Sequence, residues 1–207
     1  EDSNVNCVLE ALRITRDLHD GDEEAVVAVV SAAGEAYSYQ NAPDGRLFGV
    51  ELGARKRLGL IHGRVGGLTV GGNLAVIDSK VNVRRGGIYD PTNLTRSLEG
   101  QSDYSATANV SYRSPGMGTQ VGLFFNVFGE RITAAGGSGQ PDIVEQPRPE
   151  LGLQFTQSLG PGVEMELEAT NLLNSEHLWE QSMNGITRVQ RRYTTGRTFS
   201  LSFTYGG

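Results

Sequence analysis

The feature that most limits how this chain can fold is a period-two alternation of apolar and polar residues. The stretch YSATANVSY shows it most clearly, with Tyr104, Ala106, Ala108, Val110 and Tyr112 separated by Ser105, Thr107, Asn109 and Ser111. Successive side chains of a β-strand point to opposite faces of the sheet. This stretch therefore predicts a strand with one apolar face and one polar face.

The same pattern recurs along most of the chain. Alternating segments lie at 48–56, 68–76, 121–127, 151–155, 163–169 and 199–205, and AVVAVV at 25–30 is apolar throughout. A weaker alternation lies at 36–46. The last segment can extend back to residue 187, giving a strand of about 18 residues where globular strands usually have about 5–6. The sequence thus predicts about eight strands within a single β-rich unit, residues 25–207.

The predicted connections alternate in length. Those near 59–67, 114–118 and 160–162 are short and rich in Gly and Pro, whereas those at 80–102, 133–147 and 175–187 are long. Glycine and proline at such positions are typical of tight turns. The pattern predicts an up-and-down antiparallel sheet with short turns at one rim and large loops at the other, which is the asymmetry of outer-membrane β-barrels.

Residues 1–24 differ from the rest of the chain. Val5, Val8, Leu9 and Leu12 have helical spacing and are followed by the acidic run HDGDEE. We expect a short amphipathic helix or an irregular segment here. The chain begins at Glu1 without a methionine or an apolar leader, so a signal peptide has been removed or the chain is a piece of something longer.

Composition narrows the classes of function. The net charge of −6 and the lack of a basic stripe with interleaved aromatics argue against nucleic-acid binding. Mean hydropathy is −0.30, and no run of about 18 apolar residues predicts a transmembrane helix. This mean hydropathy does not exclude membrane-spanning β-strands, because their apolar residues alternate with polar ones. The single cysteine, Cys7, allows no internal disulfide, and glycine, 28 of 207 residues, favours turns and strands over long helices.

Alternation alone does not separate a membrane barrel from a soluble β-sandwich. Tyr104 and Tyr112 bracket one apolar stripe, and eight residues tilted by ~40° cover roughly 20 Å, near the ~25 Å apolar band that aromatic girdles edge. The predicted strands are also long. These two details favour a membrane barrel.

Five segments resemble, in order and spacing, the C-terminal barrel of TonB-dependent outer-membrane receptors. They are QNAPDGRLFGVELGARKRLG (40–59), LEGQSDYSATANVSYRSPGMGTQVGLFFNVFGERI (98–132), PDIVEQPRPELGLQFTQSL (141–159), ATNLLN (169–174) and RRYTTGRTFSLSFTY (191–205). Family members are barrels of about 22 strands closed by a plug domain. They import scarce ligands such as siderophores, cobalamin or oligosaccharides.

The resemblance implies a location in the bacterial outer membrane, with lipid, lipopolysaccharide and the barrel-assembly machinery as partners. A TonB complex would act only through a plug that this chain does not include. In that setting the lumen-facing candidates are Glu164, Glu166, Glu168, Asn109 and Asn126. We expect arginines on neighbouring strands to balance the three glutamates. The ligand itself stays unidentified.

No catalytic, cofactor or metal site is predicted. His19, His62 and His177 have no metal-ligand spacing with Cys7 or with one another, and no serine lies in a G-x-S-x-G motif. His177 and Trp179 fall in a predicted outer loop and could touch a ligand. Arg188 belongs to the basic cluster RVQRRY (188–193), predicted on the last strand near the outer rim, which could meet an anion or balance the acidic wall.

The sequence therefore predicts an all-β protein, the antiparallel up-and-down transmembrane β-barrel portion of a receptor, with about eight long strands after a helical or irregular N-terminus. We expect a fragment that is not an enzyme and does not transport alone. Two alternatives stay open: a stand-alone small outer-membrane barrel with a structural or adhesion role, and a soluble secreted β-sandwich that binds a ligand.

Overall fold

The computed structural model describes residues 6–12, 42–58, 67–85, 90–114 and 116–206, with the backbone alone described for 6–12. Every regular element in these ranges is a β-strand, and every pairing is antiparallel. The all-β prediction is confirmed. Among the described residues there is no helix of the length and apolarity that a membrane crossing requires.

The main sheet contains nine of the described strands. Along its path lie β1 (Asn6–Leu12), β2 (Asp44–Arg57), β3 (Leu68–Asn82), β5 (Tyr104–Ser114), β6 (Thr119–Phe128), β9 (Glu150–Gly160), β10 (Val163–Thr170) and β13 (Thr198–Tyr205), and β4 (Thr95–Arg96) pairs with the end of β3. Each strand on the path pairs with the next in that order. The sheet is thus an antiparallel meander, and no pairing between β1 and β13 closes it within the described ranges.

The connections alternate as the sequence predicts. Residues 58–67, 115–118 and 161–162 join strands at one rim, whereas 83–103, 129–149 and 171–197 join them at the other. The long connections contain a second sheet that the sequence analysis did not predict. Its strand order is β12 (Ile186–Thr194), β11 (Glu176–Met183), β8 (Ile143–Glu145) and β7 (Arg131–Ala134).

Two neighbouring rows of the register show how the faces of the main sheet differ. One row joins Val70, Val110, Leu123, Leu153, Ala169 and Phe199. The next joins Arg57, Thr69, Ser111, Gly122, Gln154, Glu168 and Ser200. Alternation along each strand places these rows on opposite faces. From β3 to β13 the main sheet therefore has a mainly apolar face and a mainly polar face; the first row ends at Lys56 on β2, and Phe124 of β6 lies on the polar face.

The apolar face has no second layer of protein over it in the described structure. Phe199, Leu201 and Phe203 are 64%, 57% and 62% exposed, and the buried hydrophobic residues of the described ranges are only Val81 and Ala169. A soluble sandwich buries this kind of face against a partner sheet. Here the apolar side chains of β13 stay largely uncovered in the described structure.

Two predictions about the chain ends need correction. Residues 6–12 form a strand paired with β2, so the helical interpretation is wrong for them. So short a segment is marginal as a helix, whereas the edge of β2 offers a full ladder. The continuous strand over 187–205 is also wrong, because Thr195–Arg197 separates β12 from β13 and Gly196 has a φ of 80°. The predicted strand at 25–30 lies outside the described residues.

Candidate functional site

The long connections meet and form a folded cap at one rim of the main sheet. Pro91 is fully buried and forms a bridge with Gly137, which joins the first long connection to the second. Asp142, 9% exposed, accepts hydrogen bonds from the Gly136 amide at 2.6 Å and from the Asn93 side chain at 2.7 Å. A buried carboxylate with several donors fixes a loop because losing one donor leaves the charge uncompensated.

The second and third long connections are joined by the second sheet. Strand β8 pairs with β7 on one side and with β11 on the other. Glu145 on β8 is 5% exposed, and one of its oxygens, Oε2, accepts from both Nε and Nη2 of Arg131 at 2.7 Å. The Arg131 guanidinium also lies 4.3 Å from the ring centre of Phe128. These contacts make the cap one continuous structure.

The hairpin of β11 and β12 carries three stacked rings, which we call the aromatic cluster: His177, Trp179 and Tyr193. His177 lies opposite Tyr193 with ring centres 4.6 Å apart and an interplanar angle of 14°. Trp179 lies 5.8 Å from His177 and 5.7 Å from Tyr193. Offset stacking at these distances is favourable beyond the area it buries.

Arg191 completes this cluster. It lies opposite Trp179, and its guanidinium carbon is 5.3 Å from the Trp179 ring and 4.8 Å from the Tyr193 ring. A cation over an aromatic face is attracted by the ring quadrupole. The group offers a half-exposed surface with π faces and one positive charge, a combination suited to a planar or anionic ligand.

The structure separates the three predicted ligand-loop residues. His177 and Trp179 come together, whereas Arg188 lies opposite Gln181, beyond a bulge that leaves Gln190 unpaired in the ladder. Sequence reasoning placed the basic cluster on the last strand of the main sheet, and that placement is wrong because β12 belongs to the second sheet. It singled out only Arg188 of that cluster and did not connect Arg191 and Tyr193 with His177 and Trp179. Alternation within RVQRRY, which puts Arg191 and Tyr193 on one face, is the signal that could have found them.

The predicted lumen-facing residues share the polar face of the main sheet. Glu164, Glu166 and Glu168 follow one another along that face of β10, while Asn109 and Asn126 lie on β5 and β6 and line a cleft of about 540 Å³. Among the described residues, no arginine lies beside the glutamates, so the expected arginine partners are not found there. Their cross-strand neighbours are Ser158, Thr156 and Gln154 on β9, and Thr204, Ser202 and Ser200 on β13.

The acidic row is thus held by neutral groups. The Gln154 amide donates to Glu166 at 2.5 Å, and the remaining neighbours are small hydroxyl residues. Within the described ranges no three His, Cys, Asp or Glu side chains lie close enough together to hold a metal ion. Comparison with protein-family models, with curated proteins and with solved structures found no match.

Proposed function

We propose that this chain is the C-terminal part of an outer-membrane receptor barrel of the TonB-dependent type, which takes part in the uptake of a scarce ligand. The observation that carries the proposal is the apolar face, which is exposed on β2, β3, β5, β6 and β13, is half-buried on β9 and β10, and backs onto a predominantly polar face. Contact with lipid would suit the apolar face, and contact with water would suit the polar face.

The size of the exposed apolar surface supports lipid contact. Eleven large apolar side chains on this face are exposed: Phe48, Leu52, Leu74, Val76, Val110, Tyr112, Leu123, Phe199, Leu201, Phe203 and Tyr205. Together they leave on the order of 1,000 Å² open, where the largest patch of a monomer is usually about 300–600 Å². At ~25 cal/mol per Å² the transfer of this surface out of water is worth roughly 25 kcal/mol before any entropic cost.

The distribution of residues also favours a barrel over a sandwich. In a soluble sandwich the polar side of each sheet meets bulk water and needs no small residues. Here Gly53, Gly71 and Gly122 lie on the polar face, and a cleft runs across β2, β3, β5 and β6 on that side. Small residues at these positions of the polar side suit a sheet that curves around water.

The receptor part of the proposal is supported by the cap. Its long connections fold against one another at one rim, and they carry the aromatic cluster with Arg191. A structured cap at one mouth of a barrel is suited to capturing a ligand. The barrel-assembly machinery would insert the strands, and a TonB complex would act through a plug domain supplied outside this chain.

The membrane part of the proposal can be tested by cysteine labelling in liposomes. Cys7, the single cysteine, is replaced by serine, and Leu201→Cys or Ser202→Cys is introduced on β13. These neighbours lie on opposite faces, so each is the matched control of the other. A water-soluble maleimide should label Ser202→Cys and leave Leu201→Cys unreacted, and both should react in urea. Equal labelling of the two, or a monodisperse protein without detergent, would contradict the proposal.

A second candidate is the stand-alone small barrel with a structural or adhesion role. It is favoured by the eight strands on the path of the main sheet, because an even number lets β1 and β13 pair antiparallel and close the sheet. Closure would give a folded form with heat-modifiable gel mobility for this chain alone. A fragment that needs further strands would migrate as unfolded protein before and after heating.

A further inference from the structure

The polar face of the main sheet holds three arginines around one hollow at the rim of the short connections. The hollow, which we call the arginine pocket, has a volume of about 410 Å³, and the polar-face residues that line it are Arg55, Arg57, Thr69, Ser111, Arg113 and Gln120. We propose that the arginine pocket binds a phosphate-bearing ligand. It lies at the opposite end of the strands from the cap, so it is distinct from the aromatic cluster.

The strand order explains why the hollow exists. Strand β3 runs between β2, which carries Arg55 and Arg57, and β5, which carries Arg113. The two arginine-bearing strands are two ladder spacings apart, roughly 10 Å. Between them β3 presents Thr69 and, at its start, Gly67, whose carbonyl accepts the Arg113 amide at 2.9 Å. A glycine is needed here because a Cβ on residue 67 would lie 1.9 Å from the Arg113 carbonyl oxygen, so Gly67 lets the two backbones approach closely beside the arginine side chains.

One of the three guanidinium groups is already positioned. Arg113 donates from Nε and Nη2 to the Gln120 side-chain oxygen, at 3.1 and 2.6 Å. Gln120 is neutral, so this contact orients the guanidinium without cancelling its charge, and neither of these two hydrogen bonds uses Nη1. Arginine presents its donors in a planar fork that matches phosphate oxygens in pairs.

The positive charge of the pocket has no counter-charge in the described structure. None of the ion pairs formed there involves Arg55, Arg57 or Arg113. Glu51, on the same face of β2, accepts a hydrogen bond from the Asn73 amide at 2.9 Å and takes part in none of these ion pairs. Like charges around one hollow repel, and a multiply charged anion relieves that repulsion.

The neutral groups of the pocket fit the same ligand class. Thr69 and Ser111 are direct cross-strand partners, so their hydroxyls stand side by side on the polar face. Hydroxyl donors beside guanidinium groups complete the hydrogen bonding of a phosphate with several oxygens. A soluble organic phosphate and a lipid headgroup present the same chemistry, and the position at a strand end is open to both.

The test uses the full 207-residue chain in micelles of a neutral detergent, with calorimetric titration of inorganic pyrophosphate. A parallel arm measures binding to phosphatidylcholine vesicles with and without phosphatidic acid. Arg57→Gln and Arg113→Gln should each weaken binding about ten-fold, the range of one charge-assisted hydrogen bond. Arg46→Gln is the control, because Arg46 lies on the same strand as Arg57, at its other end and on its other face, and it should change nothing.

Each result has one meaning. Pyrophosphate binding that falls in the two variants supports a soluble ligand, and binding only to vesicles with phosphatidic acid, with the same dependence on Arg57 and Arg113, supports a lipid headgroup. The proposal is overturned if neither probe binds, or if Arg46→Gln weakens binding as much as the pocket variants. If Arg113→Gln loses its fold together with the Gln120 contact, Arg57→Gln carries the test, because Arg57 is held in the β2–β3 ladder by its backbone and its side chain takes part in none of the ion pairs of the described structure.

Discussion

Replacing Asn171 should open the base of the third long connection. Asn171 follows β10, is 9% exposed and has a φ of 52°. Its side-chain nitrogen donates to the Gly196 carbonyl at 2.7 Å and to the Thr195 hydroxyl at 3.2 Å, and its oxygen accepts from the Ser175 amide at 3.1 Å. One side chain thus joins the two ends of a connection that spans residues 171–197.

The magnitude follows from these contacts. Each hydrogen bond contributes roughly 1 kcal/mol, so Asn171→Ala loses about 3 kcal/mol from them. A left-handed backbone adds about 1–2 kcal/mol for a residue without a side chain that suits it. Asn174 is the matched control, since it has a φ of 51° but is exposed, with no side-chain hydrogen bond in the described structure. Asn174→Ala should therefore lose only the backbone part.

The assay is equilibrium urea unfolding of the chain folded in detergent micelles, followed by circular dichroism. The free energy of unfolding should fall by about 4 kcal/mol in Asn171→Ala and by about 1 kcal/mol in Asn174→Ala. Equal losses in the two variants would refute the reasoning, because the backbone would then account for the whole effect and the side-chain bonds for none of it.

Three further predictions concern the apolar face of the main sheet, the cap, and the rim of the short connections. Leu201 lies on the apolar face and is 57% exposed. Leu201→Arg should lower the free energy of unfolding in liposomes by ~2–4 kcal/mol if the residue lies near mid-bilayer, whereas an arginine introduced on the polar face should be tolerated. Arg191→Gln should change the emission of Trp179, the single tryptophan, and Arg188→Gln should not. Gly67→Ala should destabilise by about 1–3 kcal/mol in urea unfolding, since its Cβ would lie 1.9 Å from a β5 carbonyl oxygen.

The strands of the main sheet could be predicted from sequence because their two faces meet different surroundings. Where one face is apolar and the other polar, apolar and polar residues alternate along the strand, as in β5 and β13. Connection lengths could be predicted for a similar reason, since glycine and proline mark where a ladder stops. These local signals need no knowledge of which strands pair.

The second sheet could not be predicted in this way. Strands β7 and β8 have four and three residues, too few for an alternation to stand out, and their pairing depends on loops that are distant in sequence. The division of 187–205 was hidden because RRYTTGRTF keeps a polar, strand-like character across the break. In the structure, the break between β12 and β13 is identified by the positive φ of Gly196 and by the hydrogen bond from Asn171 to its carbonyl. The hydrogen bond depends on tertiary structure.

The balance of charge on the polar face depends on pairing as well. The sequence predicts arginines near the glutamates of β10, and the register instead places the arginines on β2 and β5. Arg57 and Glu168 fall in the same cross-strand row but lie five strands apart, roughly 24 Å in a flat sheet. A count of charges could not show this separation, because composition carries no information on strand order.

The free edges of the main sheet decide how it could occupy a membrane. The described ladder of β13 is paired only with β10, so about half of the peptide groups of its eight residues point outward without a strand. In hydrocarbon each unpaired group costs several kcal/mol, and together they would exceed the stability of an ordinary domain. If the sheet spans a bilayer, β13 must therefore be paired, by β1, by a second copy or by strands of a longer protein.

These pairings can be distinguished by experiment. Pairing with β1 gives a monomer in detergent and pairing with a second copy gives a dimer, and both slow the hydrogen exchange of the β13 amides. Fast exchange in liposomes would mean that the sheet lies outside the bilayer.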